Sequence, residues 1–226
     1  LAVLTALALA VRRRPGRWRR RWLLLASLLL AGLALNLQYS TQHVMALLGL
    51  SLPGKWLGGP FFLIVLVPTC ALVFGNVYCG SLCPFGALQE LISELRPARL
   101  AVAPDKRAWR YGRAFKYGLL LLLVILFAIT RRYEVLAADP LITVFSSVWN
   151  ARTLVLAGIV LGLSLVFRRF WCRNLCPAGA FLSLVGGLRL LRRWGPPPAP
   201  ARCDLGVRAA GELDCMCCDR CWHEEV

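Results

Sequence analysis

The stretch VYCGSLCPFGALQEL, Val77 to Leu91, closes a long apolar run and sets Cys79 and Cys83 four residues apart, with Pro84 after the second. Cysteines at the end of an apolar helix can be packing residues, redox thiols or metal ligands. Residues i and i+4 share a helix face, which suits two thiolates meeting one metal centre. Pro84 cannot lie deep in that helix without breaking it, so the chain is expected to turn at the motif and expose Cys83. A second copy, FWCRNLCPAGAFLSL, runs from Phe170 to Leu184. Both copies read aromatic-Cys-x-x-Leu-Cys-Pro-x-Gly-Ala, and Cys172 stands 93 residues after Cys79. Self-similarity at a fixed spacing marks a repeated structural unit.

Working outward, the motifs sit in a strongly apolar chain. Of 226 residues, 58% are hydrophobic, above the roughly half of ordinary soluble domains. The apolar residues gather in runs near 22–37, 57–78, 117–130 and 153–167. Some are short for the ~20 residues a span needs, and flanking Trp, Tyr, Lys and Arg can extend them by snorkelling. Pro68 is expected to kink the second run. Leu1 to Val11 is apolar, too short to span, and reads as the end of a truncated helix. A signal peptide would carry its positive charges before its apolar core, and here they follow. The fold class is therefore an all-α polytopic membrane protein. It has about four full transmembrane helices plus a truncated N-terminal one, two pseudo-repeats each ending in a CxxxCP motif, and a small cysteine-rich cytoplasmic tail. Its parts are 1–11, a membrane domain over 12–195, and a Pro-rich linker and tail over 196–226.

Net charge is +16. A basic chain invites a nucleic-acid reading, but these charges fall in loops between apolar runs. With residues 12–22, 79–116 and 168–226 on one side, that side holds 23 of the 27 Lys and Arg. The positive-inside rule makes it the cytoplasmic side, so both motifs and the C-terminus are cytoplasmic, in a bacterial inner membrane. The partners are membrane lipid and redox proteins, not nucleic acid. The outer connections hold short helices, one capped by Ser40 and one by Asp139 with Pro140 at its first position. Gln38, Gln42 and His43 on the first are weak candidates for a quinol site. A His in such a place is more often merely interfacial.

Ten cysteines in a small secreted chain would mean disulfides. This chain has a large apolar content, and its cysteines lie beside the arginines assigned to the reducing side, so ligation is the favoured reading. Cys79, Cys83, Cys172 and Cys176 supply four thiolates, enough for one [4Fe–4S] cluster or one tetrahedral zinc. Arg168, Arg169 and Arg173 stand near to offset charge. In bacterial ferredoxins the cysteine before proline ligates a different cluster from its neighbours, so each pair can also complete a centre with other ligands. The tail adds Cys215, Cys218 and Cys221 in a Cys-x-x-Cys-x-x-Cys run, with Cys203 as a fourth candidate, for a second cluster or zinc. Cys217 is off that spacing, and Cys70 reads as packing. Two other classes stay open: a membrane thiol–disulfide exchanger, and a zinc-binding scaffold or regulatory component.

LNLQYS, CGSLCPFGALQEL, ADPLITVF and CRNLCPAGA follow the order of the NosR/NapH-type membrane iron–sulfur proteins and their PceC-like relatives. The resemblance covers about residues 22–195. It implies a polytopic electron carrier passing quinol-derived electrons towards a periplasmic reductase or its maturation factors. It also implies cluster-ligand roles for Cys79, Cys83, Cys172 and Cys176, and a ferredoxin-like role for Cys215, Cys218 and Cys221. NosR-like proteins carry a flavin domain ahead of the membrane part. Nothing of it stands in this sequence, so FMN is not assignable to this chain. The tail also departs from a full ferredoxin cysteine set.

Overall fold

A computed structural model describes residues 2–13, 16–51, 58–95, 106–131, 144–145, 151–188, 203, 207 and 213–218. Asp139, Pro140, most of ADPLITVF, the linker and Cys221 lie outside them. The regular elements among the described residues are all helices, with no strand among them. In chain order the helices are α1 (Ala2–Arg13), α2 (Arg17–Ala26), α3 (Thr41–Leu48), α4 (Gly59–Phe74), α5 (Pro84–Glu94), α6 (Lys106–Thr130), α7 (Ala151–Val166), α8 (Phe170–Asn174) and α9 (Pro177–Gly187). Helix α2 runs on as a π-helix over Ser27–Ala34.

The predicted kink at Pro68 takes the form of a widened turn. A π-helical segment, Phe62–Leu66, precedes the proline, which then sits in the first turn of Val67–Phe74. There its missing N–H and its ring are tolerated. One helix, Trp109–Thr130 within α6, is long and apolar enough to cross a membrane; Gly59–Phe74, Ala151–Val166 and Pro177–Gly187 are shorter apolar helices. Only 17% of the long helix's apolar window is buried, so it is not the core helix of a globule. Leu121, Leu122, Ile125 and Ile129 on α6 and Leu154, Val155 and Ile159 on α7 all stand exposed. Apolar surface on that scale marks contact with lipid or protein.

The two repeats exchange partners. The last part of α4, which leads into the first motif, packs on α9, which leaves the second; α5, which leaves the first, packs on α7, which leads into the second. Reciprocal polar bonds fix this exchange. Asn76 and Arg169 are 93 residues apart, as are Glu90 and Ser183. Asn76 Nδ2 donates to Ser183 Oγ at 3.3 Å, and Arg169 Nε donates to Glu90 Oε2 at 2.6 Å. Each residue three before a first motif cysteine thus bonds the residue eleven after the first cysteine of the other repeat. This reciprocal exchange relates the two halves by a pseudo-two-fold.

Candidate metal centre

Each motif is a wide turn followed by a helix start. Tyr78–Leu82 is π-helical, and Cys83 N–H donates to Tyr78 O at 2.8 Å. The second copy closes in the same way, with Cys176 N–H to Trp171 O at 2.9 Å. Cys83 (φ −68, ψ 116) and Cys176 (φ −73, ψ 109) then take the extended conformation that a following proline imposes. Each is the N-cap of an 11-residue helix with proline at its first position. Cys176 Sγ accepts the Gly179 N–H at 3.2 Å, and backbone N–H groups of Gly86 and Phe85 reach Cys83. A helix N-terminus favours negative sulfur. The chain thus turns at each motif, as the proline leads one to expect, but the second cysteine leaves the helix face of the first and becomes the N-cap of the next helix.

Exposure of Cys83 is not what the structure shows: it is 7% exposed. The tail covers the turn. A Cβ on Gly80 would run into the carbonyl oxygen of Met216 and lie 2.9 Å from that of Cys217, so only glycine admits this approach. Asp214 pins the tail through Lys116 Nζ at 2.6 Å, Arg113 Nε at 2.7 Å and Tyr117 Oη at 2.7 Å.

Behind the motifs lies a buried polar network, of which the sequence reading named Arg169 but neither Glu90 nor Gln89. Arg169 and Glu90 are both 0% exposed. Glu90 bridges Arg169 and Arg20, the latter at 2.8 Å. Arg169 also donates to the carbonyls of Cys79 at 2.7 Å and Gly80 at 2.8 Å. It holds a left-handed backbone (φ 52), uncommon for a non-glycine and a feature that clusters at functional sites. Gln89 Oε1 accepts from Ser164 Oγ at 3.2 Å and from Trp171 N–H at 3.1 Å, which leaves Gln89 Nε2 to donate to Cys172 Sγ at 3.4 Å. The signal available in the sequence was a pair of adjacent polar residues, Gln89 and Glu90, inside an apolar helix. Buried polar groups of that kind need partners.

Among the described residues the cysteines are thiols. Burial pushes the Cys79 thiol well above its ordinary range, with the charges of Cys83 and Cys172 adding to it and Arg169 opposing. Cys83 is pushed up to about 12, by burial first and then by Cys172, against its backbone N–H partners. Cys172 is raised by burial, opposed by Arg169 and Gln89. These thiols therefore stay protonated at neutral pH unless a cation displaces the proton. Cys79, Cys83 and Cys172 are thus electrostatic neighbours. Cys79, Cys83 and Cys176 pack in one buried cluster with Cys217, and Cys215 lies against it. Cys172 packs instead with Met216 and Cys218, and Cys203 lies against those. Among the described residues no three Cys, His, Asp or Glu side chains converge as one metal ion requires. A cubane, which takes one thiolate at each of four irons, does not require that convergence. The Trp171 Nε1 proton is buried with no acceptor, immediately before Cys172, and buried thiols, cationic Arg169 and that N–H all suit an anionic sulfur-rich group.

Elsewhere, Cys70 lines an apolar cavity with Val67, Phe74, Val77 and Tyr78, as a packing residue does. Ser40 caps α3: its N–H donates to His43 Nδ1 at 3.1 Å, and its Oγ lies 2.9 Å from the same nitrogen. Burial lowers the His43 pKa to about 4. Gln38 Nε2 donates to Asn36 Oδ1, while its Oε1 is buried without a partner.

A family described as a 4Fe–4S binding domain matches residues 56–102 and again 149–197. The two matches begin 93 residues apart, so each takes one repeat. Protein NirI of Paracoccus denitrificans is 33% identical over 94% of this chain and 35% of its own length. Regulatory protein NosR of Pseudomonas aeruginosa is 30% identical over 75% of this chain and 27% of its own. Methylamine utilization ferredoxin-type protein MauN of Methylorubrum extorquens is 30% identical over 67% of this chain and 48% of its own. The chain thus spans about a third or less of the NirI and NosR proteins. No solved structure matches.

Proposed function

The chain belongs to the NosR/NapH-type 4Fe–4S proteins, and on that premise we propose that it is a membrane-bound iron–sulfur electron carrier. The observation that carries this reading is the duplicated cysteine motif, buried and backed by Arg169 and Gln89. Cys79, Cys83, Cys172 and Cys176, with Cys203, Cys215, Cys218 and Cys221 of the tail, are the ligand set. A bound cluster supplies one-electron uptake and release; the chain supplies thiolates, a buried cation and N–H donors, which are the levers on its potential. The helices lie in the bilayer with the motifs at the cytoplasmic face, supported by the charge distribution and the exposed apolar faces of α6 and α7. Electrons come from the quinol pool or another redox protein and pass towards a reductase system or its maturation factors. The buried, unpartnered Gln38 Oε1 supports Gln38 more than His43, whose Nδ1 is taken by Ser40.

Anaerobic purification in detergent, with iron and sulfide analysis and EPR of the reduced protein, tests this. Iron and sulfide in equal amounts with a cubane EPR signal are expected. A folded protein free of iron ends the reading.

A further inference from the structure

Tyr39 lies in the connection between α2 and α3, and that connection meets the first motif. The Tyr39 N–H donates to Tyr78 Oη at 2.9 Å, and the Tyr78 hydroxyl in turn donates to Leu37 O at 3.4 Å. Tyr78 stands immediately before Cys79, so its hydroxyl is spent on holding the connection against the motif. Two aromatic contacts fix the Tyr39 ring. It stacks on His43 with centroids 5.7 Å apart and planes at 23°, and it meets Tyr78 edge-on at 6.0 Å. The residue is 2% exposed and packs in the buried cluster that holds Cys79, Cys83 and Cys176. Its own hydroxyl finds no hydrogen-bond partner there. A buried donor left unpaired is costly, and native folds rarely leave one without a reason. The second repeat offers a parallel. Trp171, 93 residues after Tyr78, precedes Cys172, packs in the same cluster, and has its Nε1 proton buried without an acceptor. On the first repeat the equivalent hydroxyl, that of Tyr78, is engaged, and Tyr39 brings the spare donor instead.

Resting on the electron-carrier reading, we infer that the Tyr39 hydroxyl donates a hydrogen bond to sulfur of the iron–sulfur group held at Cys79, and so tunes its potential. The acceptor is one the polypeptide does not supply: anionic sulfur, cysteinyl or inorganic. Burial first, and then the charge of Cys79, push the Tyr39 phenol well above its ordinary pKa range. Tyr39 therefore keeps its proton at neutral pH and is available only as a donor to an anion. The same influence marks Cys79 as the charge nearest in effect to that phenol. A donor aimed at sulfur favours the reduced state, which carries one more negative charge, and so raises the potential. Tyr78 contributes by position, through the backbone bond that sets Tyr39 in place.

Tyr39→Phe tests this, because it keeps the ring and its two aromatic contacts and removes only the hydroxyl. In the full chain, purified anaerobically in detergent, the variant should hold as much iron and sulfide as the unmutated protein. Its midpoint potential, read by redox titration followed by EPR, should fall until reduction is about tenfold less favourable, about 59 mV for one electron. An unchanged potential at full iron content overturns the inference. A spectroscopic signature separates a bond to the bound group from a role in packing. Pulsed EPR of reduced protein produced in water and in heavy water should show an exchangeable proton coupled to the centre that is missing from Tyr39→Phe. The same set of exchangeable protons in both proteins overturns the inference. If the variant holds less iron, the unmutated sequence decides, produced with 3-fluorotyrosine in place of tyrosine. The fluorinated phenol is the stronger donor, so the potential should rise, and an unchanged potential again overturns the inference. Absence of iron from the unmutated protein is a different result, and sinks the electron-carrier reading itself.

Discussion

At the residue scale, Glu90 is where the two halves meet electrically. Its two oxygens hold Arg20 and Arg169, with Arg169 and Glu90 fully buried. Breaking a buried pair by removing one partner costs about 3–5 kcal/mol, because a charge is left stranded. Glu90→Ala should lower stability by that order, read as a lowered thermal midpoint in detergent; an unchanged midpoint would show that Arg169 finds another partner. Gln89 plays a different part. Gln89→Glu keeps the acceptor for Ser164 and Trp171 but removes the N–H to Cys172 and adds a negative charge. The midpoint potential of the centre at Cys172 should fall, a tenfold change in its reduction equilibrium being about 59 mV for one electron. Redox titration followed by EPR reads it. Neither residue belongs to the cysteine spacing, so neither was legible from the motif. Their roles exist only because α5 packs against the second repeat.

Among elements, the cap of α3 carries a pH dependence. His43 is held neutral in the fold, its pKa lowered to about 4 by burial, while the unfolded chain titrates near 6.5. A lowered folded pKa gives stability that is complete above the unfolded value and is lost as pH falls through the folded one. The thermal midpoint should therefore drop between about pH 6.5 and pH 4, and His43→Gln should flatten that part of the profile. The tail segment 213–218 offers a second test. Asp214→Ala leaves buried Lys116 without its carboxylate, and Gly80→Ala forces the Met216 carbonyl away. Both should speed limited proteolysis after the Pro-rich segment, and a protease-resistant tail would argue against this docking. The Ser40 cap was readable, since serine before an apolar helix is a local signal. The docking was not, because Gly80 and Asp214 stand far apart in sequence, and nothing local marks either as a contact.

For the molecule as a whole, the exposed apolar faces of α6 and α7 predict that the protein stays in the pellet after alkaline carbonate washing of membranes and needs detergent for release. Release by carbonate alone would contradict the membrane reading. The described residues contain one helix of spanning length, so the four spans rest on the apolar runs of the sequence and their orientation on its charge distribution. Reporter fusions at the loops would test it.

The amino-acid sequence alone determined the helical class, the duplication and the residue types of the site. These are local or periodic properties: apolar runs, a 93-residue repeat, and a proline that turns the chain at each motif. Only the tertiary structure decided which cysteine neighbours which. It also decided that Arg169, Glu90 and Gln89 back the site and that the tail closes it. The physical reason is that partner choice between repeats depends on the exchange of helices about the pseudo-two-fold. That exchange is set by packing and buried hydrogen bonds between residues up to about a hundred positions apart, a distance across which a linear pattern carries no contact information.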